Sequence, residues 1–325
     1  MSFSEYLERF AGLPVADFPA VQQDFGRLGE PESWAWRLRV DTRVEGDHLS
    51  GLDDLADRFA LLLEQLDTSK ISALIIGPTG SYGFDSGEAV QVLAERSSTL
   101  PALRSLFLAD LTQEDSDVAY INHTDLMPLL EAYPQLEEFH VRGSAEYDLP
   151  EPPLRTFKHA ALRKLVFQSG GLDPRIIRAI GDSDLPELEH LEFYFGDEDY
   201  GGGAEIDDIE WLLSGERFPK LRHLGLRDAP NADEIAAAVA HAPIVARLES
   251  LDLSLGTLGD EGAAALLAGQ PLTHLKSLDL HHHFMSSEMT RRLAEALPGV
   301  ELDISDQNAP DEWGGESHRY IAVSE

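Results

Sequence analysis

The chain has 325 residues, no cysteine and a formal net charge of -34, because 59 acidic residues stand against 25 basic ones. The lack of cysteine excludes disulfide frameworks, thiolate metal sites and cysteine nucleophiles, and it fits a reducing cytoplasm. The acidic excess disfavours nucleic acid and anionic membranes and would speed encounter with a basic partner protein, although it is explained more simply by solubility alone.

Residues 1–70 are predicted to form an N-terminal cap. Its first elements are a short helix in SEYLERF, residues 4–10, and an opening strand in the alternating residues 34–40. An amphipathic helix is predicted over residues 53–66, DDLADRFALLLEQL. The chain start lacks the basic-then-apolar pattern of a signal peptide, and no apolar run approaches the roughly 18 residues of a membrane span. We therefore expect a soluble, cytoplasmic protein.

A leucine-rich pattern recurs through residues 71–305. An apolar residue is followed three and five positions later by two more, and the first residues of successive copies are separated by 26 to 33 positions. Self-similarity at such a period is typical of a solenoid, in which each unit buries its apolar face by stacking on its neighbours. The copies are Leu103/Leu106/Leu108, Leu136/Phe139/Val141, Leu162/Leu165/Phe167, Leu188/Leu191/Phe193, Leu221/Leu224/Leu226, Leu248/Leu251/Leu253 and Leu275/Leu278/Leu280, with a further copy at Ile71/Leu74/Ile76 and a shortened one at Leu302/Ile304.

Each copy predicts a strand followed by a helix. The second and third anchors are separated by one residue and so lie on one face of a strand, and the roughly 20 residues that follow leave room for a helix. The predicted fold class is therefore α/β, a leucine-rich-repeat solenoid (horseshoe) with a parallel sheet on the concave side and helices on the convex side. The predicted helices cover residues 88–96, 174–180, 206–213, 233–241, 260–267 and 287–297.

Residues 248–262, LESLDLSLGTLGDEG, followed by AAALLAG, resemble one unit of the ribonuclease-inhibitor-like class of leucine-rich-repeat proteins. Leu258 and Gly262 match the last leucine and the helix-opening glycine of that pattern. The resemblance covers roughly residues 71–305, and the chain is also similar to bacterial leucine-rich-repeat proteins of unassigned activity. It implies partner binding on the concave face rather than catalysis.

One position departs from the family pattern in every copy. The asparagine expected three residues after the third anchor is replaced, and in the last complete copy His283 occupies this place. We expect its imidazole to hydrogen-bond the backbone there in place of the asparagine. The remaining residues, 306–325, are expected to form a C-terminal cap or a tail, with a final strand at 320–323 if they form a cap.

Two motifs resemble a nucleotide-binding site and a metal site, but we do not expect the chain to contain either. Gly77, Gly80 and Gly83 resemble a dinucleotide-binding fingerprint, but the next helix is expected to begin only after Asp85, too far from the glycines for its free amides to face a pyrophosphate. The run 281–283 offers three histidines, yet consecutive strand residues point to opposite faces. We therefore expect no cofactor and no resident metal.

A row of aspartates supports the main alternative to a purely binding function. Asp252, Asp279 and Asp303 occupy the same register on successive predicted strands, about 5 Å apart. Neighbouring carboxylates serve as acid–base groups or cation ligands, so a metal-dependent hydrolase that uses this row with His281 stays open. Exposed aspartates are also common in such repeats without any chemistry.

The function expected first is a non-catalytic protein–protein interaction scaffold that binds a partner on the concave face. Arg142, Tyr194 and Arg227 are the predicted hot spots, because interfaces draw strong contacts from Arg and Tyr. The acidic segment 197–208 is either a solvated insertion or a contact loop. The residues predicted to bind the partner are Glu138, His140, Arg142, Lys164, His190, Glu192, Tyr194, His223, Arg227, Asp252, Asp279 and His281.

Overall fold

The computed structural model describes residues 3–18, 29–40, 54–79, 84, 86–146 and 149–324. The chain divides into two compact units, which we call unit 1 and unit 2. Unit 1 comprises Met1–Arg155 and His159–Lys164, and unit 2 comprises Thr156–Lys158 and Leu165–Glu325. Both combine helices with mostly parallel strands, which confirms the α/β class. The solenoid and the boundaries expected at residues 70 and 305 remain predictions.

Unit 1 contains short strands separated by helices. Its strands are β1 (Arg9–Phe10), β2 (Leu13–Asp17), β3 (Ala35–Leu38), β4 (Ala73–Ile76), β5 (Ser105–Leu108), β6 (Asn122–His123), β7 (Glu138–Arg142) and β8 (Ser144–Ala145). Its helices are α1 (Leu55–Gln65), α2 (Ser86–Glu95) and α3 (Met127–Ala132), with 3₁₀ turns at Pro31–Ser33, Thr68–Lys70, Ser97–Thr99 and Val118–Tyr120. The sheet order is β1-β2-β3-β4-β5-β7, where β1 and β2 pair antiparallel and the following pairs are parallel.

Helix α1 confirms the amphipathic segment that the sequence predicts before the first repeat. Its N-cap is Asp54, whose carboxylate accepts a hydrogen bond of 2.8 Å from the backbone N–H three residues later. Leu55, Phe59 and Leu62 are buried along one side of the helix. The predicted first residue, Asp53, lies outside the described residues.

The N-terminal segment forms a hairpin, so the helix predicted over residues 4–10 is wrong. β1 and β2 are joined by a tight turn in which Ala11 and Gly12 have φ values of 51° and 77°. Apolar residues of this segment pack instead against distant strands. The resulting cluster contains Phe10, Ala35, Ala73, Ile75 and Phe107, with Leu7, Leu13 and Val15 packed against it. This segment therefore covers the strand face of unit 1 that lies opposite the leucine anchors.

Unit 2 repeats a strand and a helix with greater regularity. Its strands are β9 (Lys164–Gln168, whose first residue belongs to unit 1), β10 (His190–Tyr194), β11 (His223–Arg227), β12 (Ser250–Asp252), β13 (Ser277–Asp279), β14 (Glu301–Asp303), β15 (Asp311–Trp313) and β16 (Glu316–His318). Its helices are α4 (Pro174–Gly181), α5 (Ile206–Leu213), α6 (Ala232–Val239), α7 (Asp260–Ala268) and α8 (Ser287–Ala296), with 3₁₀ turns at Glu198–Tyr200 and Pro243–Arg247. Strands β9 to β14 lie in chain order, and the pairs from β10 to β14 are parallel.

The parallel register places equivalent anchors side by side. The middle anchors Leu191, Leu224, Leu251 and Leu278 form one continuous row across β10 to β13. All four are at most 1% exposed, as expected for residues that face the core. Burying a leucine contributes about 1.5–3 kcal/mol, so this row is a main source of stability in unit 2.

Helices α2 and α4 to α8 begin and end within two residues of their predicted bounds, whereas no bounds were predicted for α3. Two of them carry side-chain caps that the sequence encodes: Asp173 accepts from the N–H of Arg175 at the start of α4, and Ser286 from the N–H of Met289 at the start of α8. In the described part of the chain, no helix has the length and apolar character that crossing a bilayer requires.

The turns after these strands repeat one backbone conformation. The fourth residue after the middle anchor has a positive φ in four successive copies, although none of the four is a glycine. Residues with a side chain enter this region at a cost, so the packing of the repeat imposes it. The residues are Asp228 (55°), Leu255 (69°), His282 (56°) and Asp306 (57°).

His283 replaces the expected turn asparagine in the predicted way. Its Nδ1 accepts a hydrogen bond of 3.1 Å from the N–H of Met285, and its Nε2 donates to the carbonyl of Ile304 at 3.0 Å. The side chain is fully buried, so one imidazole satisfies two backbone groups that water does not reach. This confirms the interpretation of His283 as a structural residue.

The C-terminal residues return to the turns of unit 2. The N–H of Ala322 donates to the carbonyl of Leu255 at 2.8 Å, and the N–H of Val323 donates to Asp228 Oδ1 at 3.0 Å. Ile321 and Val323 are buried there. The strand predicted at residues 320–323 is wrong, because these residues dock by side chains and single hydrogen bonds while the hairpin of β15 and β16 lies earlier.

Candidate functional site

Alternate residues of β10 to β14 form a polar face on unit 2. Each strand turns its anchors toward the core and the intervening residues to the opposite face. Because the strands are parallel and in register, equivalent intervening residues lie next to each other. We call this surface the polar face; it contains His190, Glu192, Tyr194, His223, Gly225, Arg227, Ser250, Asp252, Ser277, Asp279, Glu301 and Asp303.

Two imidazoles and one carboxylate meet at the first two strands of the polar face. The rings of His190 and His223 are stacked, with centroids 3.8 Å apart and planes 9° from parallel. Oε1 of Glu192 lies 2.6 Å from Nε2 of His190 and 3.1 Å from Nε2 of His223. The first contact is a hydrogen bond, whereas the second has the distance but not the geometry of one. Nε2 of His223 is thus a buried nitrogen without a hydrogen-bond partner.

The side chain of Glu192 fits here because a glycine lies beside it. Glu192 and Gly225 are register partners on β10 and β11, and a Cβ at position 225 would lie 2.7 Å from Cγ of Glu192. Burial alone would raise the pKa of Glu192, but its contacts with His190, His223 and Arg227 outweigh burial and hold that pKa well below its usual range. Glu192 is therefore an ionised carboxylate that faces two imidazoles.

Arg227 connects this group to the next strand. Its Nη1 lies 3.4 Å from Oε2 of Glu192, and its Nε lies 3.2 Å from Oδ2 of Asp252. Burial would lower the pKa of Arg227, but the neighbouring Tyr194, Asp252 and Glu192 outweigh burial and raise it. For Asp252, burial is the largest influence and raises the pKa against the charge of Arg227. The guanidinium therefore holds two carboxylates in place.

Two of the predicted hot spots are buried. Arg227 is 8% exposed and Tyr194 is 1% exposed, and the guanidinium lies 4.7 Å from the centroid of the tyrosine ring. A hot spot would have to project from the strand face, but each of these side chains is packed by its neighbours on adjacent strands. They organise the polar face rather than protrude from it.

A second group of ligand-type side chains lies at the far end of the polar face. Oδ1 of Asp279 accepts hydrogen bonds from Nδ1 of His281 at 2.7 Å and from its N–H at 3.0 Å. Burial would raise the pKa of Asp279, but these bonds outweigh burial and lower it. The ligand atoms of Asp279, His281 and Asp303 lie within 4.8 Å of one another. The aspartate row is thus unequal: Asp252 is buried beside Arg227, Asp279 is half-buried and Asp303 is exposed.

Three predicted residues form a separate polar cluster in unit 1. Oε1 of Glu138 lies 2.8 Å from Nε2 of His140 and 3.3 Å from Nζ of Lys164. The His140 ring also meets the rings of Phe10 and Phe107 edge-on, at centroid distances of 5.3 and 5.4 Å. This cluster therefore borders the covering N-terminal segment.

Arg142, the third predicted hot spot, lies beneath that segment. It is 3% exposed, and its guanidinium is 4.2 Å from the ring centroid of Phe3. Its Nη1 lies 3.4 Å from Oδ1 of the fully buried Asp110, which Arg37 also contacts at 2.9 Å. Arg142 therefore does not project from its strand as a hot spot would, because a chain segment distant in sequence covers it.

The remaining sequence motifs have structural or untested roles. Gly77 follows β4 and donates its N–H to the carbonyl of Leu38 at 2.8 Å, but Gly80, Gly83 and Asp85 lie outside the described residues. The fingerprint is therefore untested. In the acidic segment, Asp197 caps a 3₁₀ turn and its N–H donates to Gly170 at 2.6 Å, so this loop has a defined fold; a partner contact there remains a prediction.

No protein-family model matches the sequence, and no curated protein matches it either. Among solved structures, the chain is similar to a Bacteroides fragilis protein from a structural genomics consortium, with 27% identity and a TM-score of 0.75 over 88% of this chain and 76% of that one. An internalin, InlF, from Listeria monocytogenes aligns over 82% of this chain and 77% of its own with 15% identity, but its TM-score of 0.28 is too low to support a shared fold. The repeated units of parallel strand and helix fit a leucine-rich-repeat-like fold.

Proposed function

We propose that this protein is a non-catalytic interaction protein that binds a partner protein through the polar face of unit 2. The observation that carries the proposal is the in-register row of polar side chains on consecutive strands, which ends in the accessible residues Asp279, Glu301 and Asp303. Five carboxylates stand on this face against one guanidinium, that of Arg227: Glu192, Asp252, Asp279, Glu301 and Asp303. The chemistry therefore favours a partner that presents a basic segment.

The polar face is organised before any partner arrives. Nδ1 of His223 is 2.6 Å from Oγ of Ser250, and His281 is held by Asp279. Side chains that are already held in place lose little conformational entropy on binding, so more of the contact energy remains as affinity. This supports recognition by the face itself rather than by a loop that folds around the partner.

Finer assignments follow from the sequence. We propose that the chain is a bacterial leucine-rich-repeat protein of the ribonuclease-inhibitor-like class, on the support of its period of 26 to 33 residues and the match at Leu258 and Gly262. A cytoplasmic location, and binding on the side predicted to be concave, belong to the same proposal. The acidic excess supports fast encounter with a basic partner and opposes nucleic acid.

Site-specific photo-crosslinking tests this proposal in cells. A photoreactive residue in place of the half-exposed Ser277 should capture a discrete partner, and one in place of the exposed Arg292 on α8 should not. Mass spectrometry of the cross-linked species identifies the partner. Equal capture from both positions, or none from Ser277, would remove the polar face as the binding surface.

The identified partner then allows a test of charge. The double change Asp279→Asn and Asp303→Asn should weaken binding roughly three- to tenfold, because exposed ion pairs contribute about 0.2–1 kcal/mol each. The matched change Glu234→Gln and Glu261→Gln removes the same charge from exposed positions on α6 and α7 and should leave affinity unchanged. Equal weakening by both pairs would indicate an effect of net charge alone.

The metal-dependent hydrolase remains an alternative proposal. Its support is the convergence of Asp279, His281 and Asp303, whereas Asp252 is engaged by Arg227 and by the N–H of Ser254 at 2.9 Å. Such an enzyme requires a metal ion at the convergent group. Metal binding that His281→Ala abolishes would therefore favour a hydrolase over a simple interaction protein.

A further inference from the structure

We infer that His190, Glu192 and His223 form a binding site for one divalent first-row transition-metal ion. The three ligand atoms, two imidazole nitrogens and one carboxylate oxygen, lie within 4.8 Å of one another. This site goes beyond the partner-binding proposal and does not depend on it. It also replaces the expectation of no resident metal, because sequence spacing alone did not reveal that these side chains converge from two strands.

The unpartnered nitrogen of His223 is the first argument for a ligand at this place. A buried nitrogen without a hydrogen bond costs free energy, yet Nε2 of His223 is left in this state 3.1 Å from Oε1 of Glu192. With Nδ1 donating to Oγ of Ser250, Nε2 presents its lone pair toward the carboxylate. In metal sites, the imidazole nitrogen that does not bind the metal ordinarily donates a hydrogen bond that fixes the orientation of the ring.

The surroundings of Glu192 are the second argument. Arg227 approaches Oε2, while Oε1 faces both imidazoles, so the two carboxylate oxygens have separate neighbours. Gly225 leaves the space in which the carboxylate lies. The carboxylates of Glu192, Asp252 and Asp279 carry three negative charges, and Arg227 carries one positive charge. A divalent cation would therefore neutralise the remaining two negative charges.

The donor set determines which ions fit. Two imidazoles and one carboxylate suit Zn²⁺, Co²⁺ or Fe²⁺, whereas Mg²⁺ and Ca²⁺ prefer oxygen ligands only. The side chains of His190 and His223 are 23% and 20% exposed, so water can complete the coordination shell. The nitrogen lone pairs lie in the planes of the two imidazole rings, which are nearly parallel. Both nitrogens can therefore bind one ion only if the rings tilt relative to each other.

Titration of the purified full chain with Co²⁺ tests the site. Co²⁺ bound by imidazole and carboxylate has visible absorption bands, and calorimetry gives its stoichiometry and affinity. We expect one tight equivalent at about pH 7.5, weakened more than 100-fold by His190→Ala or His223→Ala, because losing a ligand exceeds the 10–100-fold effect of outer-shell changes. Ser250→Ala, which removes an orienting hydrogen bond, should weaken binding roughly tenfold.

The matched control is His241→Ala, which removes an exposed imidazole at the end of α6 and should leave Co²⁺ affinity unchanged. Far-ultraviolet circular dichroism and thermal unfolding of each variant establish that it is folded. The inference is overturned if the wild type binds no Co²⁺, if His190→Ala and His223→Ala bind it as tightly as the wild type, or if His281→Ala alone removes it. The last result would assign the ion to Asp279, His281 and Asp303.

Discussion

The strand faces of the two units use the same alternation of residues with opposite outcomes. In unit 1 the residues between the anchors include Ala35, Ala73, Ile75 and Phe107, and the N-terminal hairpin packs on them through Phe10. In unit 2 the corresponding residues are mostly histidine, glutamate, serine and aspartate, and part of that face stays accessible. The comparison shows that the anchors determine the fold, whereas the intervening residues determine whether a strand face is covered by its own chain or available for binding.

The largest effect is expected from a substitution in the buried charged group of unit 1, which Asp110, Arg37 and Arg142 form. Asp110 is fully buried and contacts both Arg37 and Arg142. Asp110→Asn leaves two buried guanidinium groups without this carboxylate, so we expect unfolding to become easier by about 3–5 kcal/mol. Urea unfolding followed by fluorescence measures the change. The same substitution at the exposed Asp303 of unit 2 should cost less than about 0.5 kcal/mol, and equal costs would contradict the contrast between the faces.

The next effect tests the covering segment itself. Phe10 is 5% exposed, and its ring lies 5.9 Å from that of Phe107. Phe10→Ala should lower the free energy of unfolding by about 3 kcal/mol, because it removes a buried ring and leaves a cavity. Tyr120→Ala is the control, since that side chain is 64% exposed and should change stability by less than about 1 kcal/mol. A stability for Phe10→Ala equal to the wild type would mean that the hairpin does not cover the sheet in solution.

The smallest effect concerns a feature that occurs in each unit, a glutamate hydrogen-bonded to a histidine. In unit 1 this pair is Glu138 and His140. Burial would raise the pKa of Glu138, but the bond from His140 and the charge of Lys164 outweigh burial and lower the pKa to about 2. Because this lies below the unfolded value of about 4.3, the ionised glutamate stabilises the fold above pH ~4.3, and this contribution is lost as the pH falls toward the folded pKa.

Urea unfolding at a series of pH values measures that contribution. Glu138→Gln should be less stable than the wild type by about 1 kcal/mol near neutral pH, and the difference should disappear as the pH falls to the acid limit. Glu301→Gln replaces an exposed side chain and should have the same free energy of unfolding as the wild type at every pH. A difference for Glu138→Gln that stays constant with pH would assign the effect to packing instead of ionisation.

The repeated elements were predictable because their signals are local. The leucine anchors and the helices of unit 2 follow from spacing within one copy, and even the backbone role of His283 follows from its position. The N-terminal hairpin was missed because its contacts are distant in sequence. Its signal is nonetheless visible: Ala73, Ile75 and Phe107 are apolar at positions where β10, β12 and β13 have histidine, glutamate, serine or aspartate.

The candidate site was predictable only in part. All members of the polar face that carry ionisable chemistry in β10 to β13 were named from the alternation of residues, but the burial of Tyr194 and Arg227 was not. Burial of a polar residue depends on side chains from neighbouring strands, which spacing does not describe. Gly225 was overlooked for the same reason, although a glycine between two leucine anchors signals that another side chain approaches closely.

The in-register pairing of β10 to β14 has a consequence for how such a protein can diverge. Core and surface are specified by alternate positions of the same short strands, so the accessible positions of the polar face can change without altering the leucine anchors. Related chains can therefore acquire different specificities while keeping one interior. A designer can likewise rewrite recognition here without redesigning the scaffold.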